Sequence, residues 1–214
     1  MNSFTYRYPV RQHFGKGCAE NAIKEELDRI GQNVLLAYGG SSLKRTGLYD
    51  KIISWLHERG KNVVDFGGIM PNPTYDKVQE GARLVREHDI DFILAVGGGS
   101  VIDCCKVVSA QVKLDEDIWE MQYTKHQYPT EFVPMGAIVT ASGTGAEQNN
   151  GAGYHPHRKE TETAVDRRLL QFCYTGQRLD TDSSNGASRQ WCIRHVESLY
   201  GNLYGQTSNG QSLR

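Results

Sequence analysis

The 214-residue sequence has no apolar run near the roughly 18 residues that a membrane span needs; its cleanest runs are five- or six-residue pieces such as 92–96. The opening MNSFTYRYPVRQHF lacks the apolar core of a signal peptide, so the protein is expected to be soluble and cytoplasmic. There is no surplus of either charge. With 24 basic against 25 acidic residues and a formal net charge of -1, no long-range field draws nucleic acid or an anionic membrane to the surface. A phosphate-bearing partner must then be held by a local site, which points to a small molecule. The sequence also has no repeated CxxC and no clustered Cys/His spacing. Its five cysteines, Cys18, Cys104, Cys105, Cys173 and Cys192, fit reduced thiols better than a disulfide framework or a zinc site.

Glycine is what the chain has in quantity: 23 residues, 17 of them before position 153, clustered after apolar runs. Residues 1–15 alternate aromatic and polar positions and read as an extended segment with Pro9 at its bend. Ala19, Ile23, Leu27 and Ile30 then recur at helical spacing, and Gly31 is expected to stop that helix. The same alternation predicts strands over 33–38, 62–66, 91–96 and 134–139, and helices over 48–58, 75–88 and 100–111. Short buried strands separated by helices of ten or more residues indicate an α/β fold with a parallel, Rossmann-like sheet. In such sheets ligands bind beyond the carboxyl ends of the strands.

Three of those ends carry Gly/Ser loops. The strand over 91–96 runs into Gly97, Gly98, Gly99 and Ser100 at the start of a helix. Glycines let the backbone approach an anion, and the helix start offers unpaired N–H groups and a positive dipole end, a combination suited to a pyrophosphate. A plain strand-to-helix turn is the alternative, although one glycine would suffice for it. The pattern is neither GxGxxG nor GxxxxGK[ST]. After the strand over 33–38 come Gly39, Gly40, Ser41, Ser42 and, nearby, Lys44, where a NAD-preferring enzyme usually places an acidic residue. Hydroxyls and an ammonium without a carboxylate suit a ribose 2'-phosphate, which favours NADP(H); an ordinary Gly-Ser loop with a solvated Lys44 is the other reading. The third loop, with Thr140, Ser142 and Thr144, suits the nicotinamide end, although alone it reads as a flexible turn. Cys104 and Cys105 read as buried thiols, Asp103 as a capping or cofactor-contacting residue, and Lys106 as solvated.

Together VLLAYGGSSLKRTGLYD at 34–50, GGIMPNPTYDKVQEG at 67–81, ILAVGGGSVIDCCKVV at 93–108 and TASGTGAEQNNGA at 140–152 resemble the iron-containing alcohol dehydrogenase family, and within it the NADPH-dependent butanol dehydrogenase branch. The resemblance covers nearly all of residues 1–152. It implies an NADP(H)-binding domain over 1–152, with Gly97, Gly98, Gly99, Ser100 and Asp103 around the pyrophosphate. Gly39, Gly40, Ser41 and Ser42 fall by the adenosine ribose, and Thr140 and Thr144 by the nicotinamide ribose. It further implies reduction of short aldehydes, or oxidation of short primary alcohols, in a protein whose C-terminal helical domain holds a divalent metal, iron or zinc. A polyol or glycerol dehydrogenase relative and a non-catalytic nucleotide-binding fragment are the alternatives.

After Ala152 the text changes. Lys:Arg goes from 9:7 to 1:7, methionine disappears, and no window keeps a helical or strand period for two turns. Read one nucleotide late from Gly153, codon choices exist that spell VITHTEKKLKQLWTGDFYNFAIL and, from Ser183, VPMEQVASGAFDTLSHFMETYM. The second string sets Asp and His four apart, on one helix face, as a metal pair requires. Those ligands would be encoded across the codons of Arg194 and His195 and of Ser198 and Leu199. Low-complexity disorder is one reading of residues 153–214, although disordered tails are not usually rich in Tyr, Trp, Cys and Leu. The other, with which the codons are compatible, is an out-of-frame tail without a stable fold or metal ligands, and it is the one expected. His155 and His157 are expected to be incidental, no catalytic residue is expected to be retained, and the family's homo-oligomer is not carried over to this fragment.

Overall fold

The computed structural model describes residues 10–15, 17–141, 143–149, 151–154, 163–164 and 170–176. The chain divides into two compact units, Met1–Leu179 and Asp180–Arg214, and the described residues all lie in the first. Its frame is a six-stranded sheet formed by β1 (Arg11–Gly15), β2 (Asn33–Tyr38), β3 (Asn62–Phe66), β4 (Phe92–Gly97), β5 (Met135–Val139) and β8 (Leu170–Gly176). The spatial order is β1-β8-β5-β4-β2-β3, with every neighbouring pair parallel. A separate antiparallel pair joins β6 (Gly153–Tyr154) to β7 (Thr163–Ala164).

The alternation of strand side chains sorts the core into two layers. Val34, Leu36 and Tyr38 of β2 and Phe92, Leu94 and Val96 of β4 face one way. There they meet Ala22 and Ile23 of α1 (Cys18–Glu26) and Ile52 and Leu56 of α3 (Leu48–Glu58). Leu35, Ala37, Ile93 and Ala95 face the other way, against Val78 and Val85 of α4 (Tyr75–Glu87) and Ile102 and Val108 of α5 (Gly99–Gln111). Each fully buried Leu or Ile in these layers contributes about 1.5–3 kcal/mol. The Thr74 side chain accepts from Lys77 N–H and caps α4, and a short helix, α2 (Ser42–Arg45), lies between β2 and α3. Among the described residues no helix is long and apolar enough to cross a membrane.

Strand and helix boundaries differ from the sequence expectations in a few places, each with a physical reason. The first helix ends at Glu26 and continues as one tight turn, Leu27–Arg29, so Gly31 does not stop it. Gly31 instead lies against the Asp91 carboxylate, which accepts from Gln32 N–H (2.7 Å) and Asn33 N–H (3.2 Å) and starts β2. With Asp91 so engaged, β4 begins at Phe92. Beyond residue 152, where no regular period was expected, β8 is inserted between β1 and β5. Its sequence does alternate, Leu170, Phe172 and Tyr174 against Gln171, Cys173 and Thr175. Residues 155–162, 165–169 and 177–214, including His155, His157, His195 and the codons of the shifted metal pair, lie outside the described residues.

One charged group is built into the frame. Glu26 is buried at the end of α1, hydrogen-bonded to Arg11 of β1 and with His13 Nε2 3.1 Å from the same oxygen. Burial alone would raise this carboxyl, but the bonds from Arg11 and His13 outweigh it and hold the group below its ordinary 4.5. A lowered folded-state value means that Glu26 stabilises the fold above pH 4.5 and that this contribution disappears as pH falls through the folded value. Glu26→Gln is therefore expected to lower stability at neutral pH and to match the parent progressively more closely below pH 4.5, as read by urea unfolding across that range.

Candidate cofactor-binding site

The sheet order places a switch point at β2 and β4. From β2 the chain moves outward to β3, then returns to lay β4 on the other flank of β2, so the loops after β2 and β4 lead to opposite faces of the sheet, the place where such folds form their ligand crevice. The three Gly/Ser loops predicted to act together are brought to this edge. Thr140 N–H donates to Gly97 O (3.0 Å), tying the loop after β5 to the end of β4. Gly68 N–H donates to Gly39 O (2.9 Å) and Ile69 N–H to Tyr38 O (3.2 Å), tying the loop after β3 to the end of β2. Asn72 N–H donates to Ser100 Oγ (3.3 Å), linking the loop after β3 to the start of α5.

The glycines after β4 do different work. A Cβ on Gly97 would stand 2.5 Å from Val101 Cγ2, and one on Gly99 would stand 2.9 Å from Thr144 Oγ1, so both make room for the chain's own side chains. Gly98 is the open position. Its nearest neighbour would be Ala141 Cβ at 3.6 Å, and its backbone is extended at φ −90°, which any residue adopts. Gly98 caps α5, a 13-residue helix, with Gly98, Gly99 and Ser100 half-buried at its positive end. The start of α5 therefore has no side chain at its cap, an arrangement that leaves its unpaired N–H groups able to receive an anion. Gly40, Ser41 and Ser42 are exposed at the end of β2, Thr140 is half-buried and Thr144 is exposed. Ser142 lies outside the described residues.

Asp103 and Lys106 form a pair one turn into α5. The Asp103 Oδ2 accepts from Gly153 N–H (3.3 Å), while Oδ1 is buried without a hydrogen-bond partner and lies 3.6 Å from Lys106 Nζ. Burial pushes the Asp103 carboxyl above its ordinary value, with Lys106 opposing part of that rise. Lys106 is not solvated, as its charge had led us to expect: its side chain is 0% exposed, and Nζ donates to Gly151 O (2.6 Å) and Asn149 Oδ1 (3.0 Å). Cys104 and Cys105 are fully buried, and burial pushes the Cys104 thiol up to about 12, which keeps it protonated and unreactive.

The switch point, the open glycine cap and the backbone ties between its loops are those of a dinucleotide domain, and the sequence pattern described as "Iron-containing alcohol dehydrogenase" matches residues 9–171. The chain belongs to the iron-containing alcohol dehydrogenase family. It is 46% identical over 152 residues to "Probable NADH-dependent butanol dehydrogenase 1" of Bacillus subtilis, covering 71% of this chain and 39% of that protein. It is 40% identical over 154 residues to "NADPH-dependent aldehyde reductase YqhD" of Escherichia coli, again covering 71% and 39%. The crystal structure of NADH-dependent butanol dehydrogenase A from Thermotoga maritima superposes with a TM-score of 0.76 at 30% identity, covering 83% of this chain and 45% of that one. The chain thus spans about two fifths of the length of these curated alcohol dehydrogenase relatives.

One neighbour of the 39–42 loop escaped the sequence reading. Asp65, next to last in β3, accepts from Tyr49 Oη (2.7 Å) and Tyr38 Oη (3.1 Å) and lies 3.9 Å from Lys44 Nζ. Lys44 Nζ sits 4.6 Å from the Tyr49 ring centre and 5.3 Å from that of Tyr38. Tyr38, and behind it Asp65, push the Lys44 ammonium above its ordinary value, so it stays charged. The loop after β2 therefore has a carboxylate beside it after all, supplied by the adjacent strand. Strand register would have pointed to it, because Asp65 pairs with Leu36, two residues before the end of β2.

Proposed function

We propose that this chain is the nucleotide-binding part of an NADP(H)-dependent alcohol dehydrogenase or aldehyde reductase acting on short primary alcohols and aldehydes. The observation that carries the reading is the open Gly98 cap of α5 at the switch point, beside a β2 loop that has glycine, not a carboxylate, at position 39. Gly97, Gly98, Gly99 and Ser100 would hold the pyrophosphate, with Asp103 close by. Gly39, Gly40, Ser41, Ser42 and Lys44 would hold the adenosine ribose and its phosphate, and Thr140, Ser142 and Thr144 the nicotinamide ribose. The helix end favours the phosphate charge by about 0.3–1 kcal/mol, and Ser100 adds a hydroxyl donor. When bound, the nicotinamide would supply or accept the hydride, with the family's divalent metal polarising the substrate oxygen. Among the described residues no group of three His, Cys, Asp or Glu side chains is placed to hold a metal. The activity assigned to this chain by itself is cofactor binding without turnover.

The same reading takes residues 153–214 as out of frame. The late-frame text places YNFAIL over the codons of 170–175; against the reading, the residues as written form β8 there and the family match runs on to residue 171. Resequencing the gene through the codon for Gly153 tests it, and an unaltered frame would remove it.

Two measurements on the full chain test the functional proposal. NADPH should bind saturably by calorimetry, and added Fe²⁺ or Zn²⁺ with a short aldehyde should give no NADPH oxidation. Absence of binding overturns the cofactor assignment, and metal-dependent turnover overturns the assignment of an inactive fragment.

A further inference from the structure

Of the cluster of Tyr38, Lys44, Tyr49 and Asp65, only Lys44 belongs to the residues read as cofactor-binding; the other three border that loop. Tyr38 ends β2 immediately before Gly39, Lys44 follows Ser42 in α2, and the loop after Asp65 and Phe66 is bonded to Gly39 O. Asp65 is held in place by two phenol donors rather than left to rotate. It therefore presents a fixed negative charge to the Lys44 ammonium. Both partners are about half exposed, with side-chain exposures of 53% for Lys44 and 42% for Asp65. The pair therefore adds little to the fold, but both charges remain within reach of a ligand in solvent.

Lys44 and Asp65 together sum to zero. An arriving ribose 2'-phosphate meets an ammonium whose field is largely cancelled a few ångströms behind it, whereas a neutral 2'-hydroxyl is indifferent to that cancellation. We infer that Asp65 is a specificity-determining residue: as the fixed counter-ion of Lys44, it limits the advantage of a 2'-phosphorylated dinucleotide over the unphosphorylated one at this loop. This rests on the reading above that the 39–42 loop receives the adenosine ribose. The tyrosines matter because they hold the carboxylate on the lysine side, at a separation well inside a Debye length, where salt screens the pair only in part.

The test is a set of calorimetric titrations with NADPH and NADH at low ionic strength, using the full chain and its Asp65→Asn, Lys44→Gln and doubly substituted variants. Asp65→Asn should tighten NADPH binding about five- to tenfold, the scale of one freed charge-assisted contact, and leave NADH within about twofold. The gain should vanish in the double variant and shrink at high salt. Lys44→Gln alone should weaken NADPH by only about two- to threefold, because Asp65 already offsets much of the ammonium's pull on the phosphate; this arm does not depend on Asp65→Asn folding. An unchanged NADPH to NADH ratio in a folded Asp65→Asn protein overturns the inference, as does a gain that persists without Lys44 or a large NADPH loss in Lys44→Gln. If the unsubstituted chain binds neither dinucleotide, the reading of the loop itself fails, and that outcome is separate from all of these.

Discussion

Gly98→Asp is expected to weaken NADPH binding by about a hundredfold while leaving the melting temperature within about 3 °C of the parent. The two halves of this expectation have different origins. A carboxylate at the cap of α5 would occupy the place that the pyrophosphate needs and would put like charge against it, where the helix end otherwise favours an anion. The fold should tolerate the change, because the backbone at Gly98 is extended at φ −90° and an added Cβ meets nothing closer than 3.6 Å. Gly97 behaves oppositely. There an added methyl would stand 2.5 Å from Val101 Cγ2 in the core, so Gly97→Ala should cost stability before it costs affinity. Calorimetric titration beside thermal melts of both variants separates the two roles, and equal loss of affinity and stability in Gly98→Asp would mean that the cap is only a packing site.

Lys106→Met is expected to destabilise the fold by about 3–5 kcal/mol, a large share of a domain's total stability. The lysine is completely buried, and its removal takes the donor from Gly151 O and Asn149 and the counter-charge from Asp103, whose Oδ1 has no hydrogen-bond partner. The loss should be non-additive. Adding Asp103→Asn should restore about 1 kcal/mol or more, because it discharges the acid that the first substitution stranded. The pH dependence follows from the raised Asp103 carboxyl. A folded-state value above the unfolded one is a penalty at higher pH that is relieved as pH falls through the folded value. In Lys106→Met this relief should be larger than in the parent, and urea unfolding over the acid range reads it directly. A loss below about 1 kcal/mol would mean that the pair is solvated in solution.

How much of this was legible in the sequence depended on the range of the interaction. The run from β2 to β5 appears within a residue or two of its predicted places, because each element is written locally. Leu48, Ile52 and Leu56 repeat every four residues in α3, and Leu35 and Ala37 alternate with Val34 and Leu36 in β2. The gathering of three Gly/Ser loops at one sheet edge was also legible, since parallel strands send all their carboxyl ends the same way. Lys106 was misread although a signal existed: Val101, Ile102, Cys104, Cys105, Val107, Val108 and Ala110 leave α5 apolar all round, and such a helix is buried with whatever polar residue it carries. Asp65 had no local signal. It reaches the 39–42 loop only through the β2 to β3 pairing and the side chains of Tyr38 and Tyr49, contacts that no spacing in the sequence records. The strand at 170–176 had a local signal as long as those of β2 to β5, Leu170, Phe172 and Tyr174 alternating with Gln171, Cys173 and Thr175, and was set aside only because the text after Ala152 reads as out of frame.

The central claim is that the ends of β2 and β4 form one dinucleotide site. Backbone amide shift mapping by NMR on the full, isotope-labelled chain, titrated with NADPH, addresses it most directly. The account predicts saturable changes on one binding curve at the amides of Gly39, Gly40, Ser41 and Ser42 and of Gly98, Gly99 and Ser100, with the β3 edge at Asn62 and Val63 unmoved. No saturable change, or changes confined to residues away from these two strand ends, would contradict it.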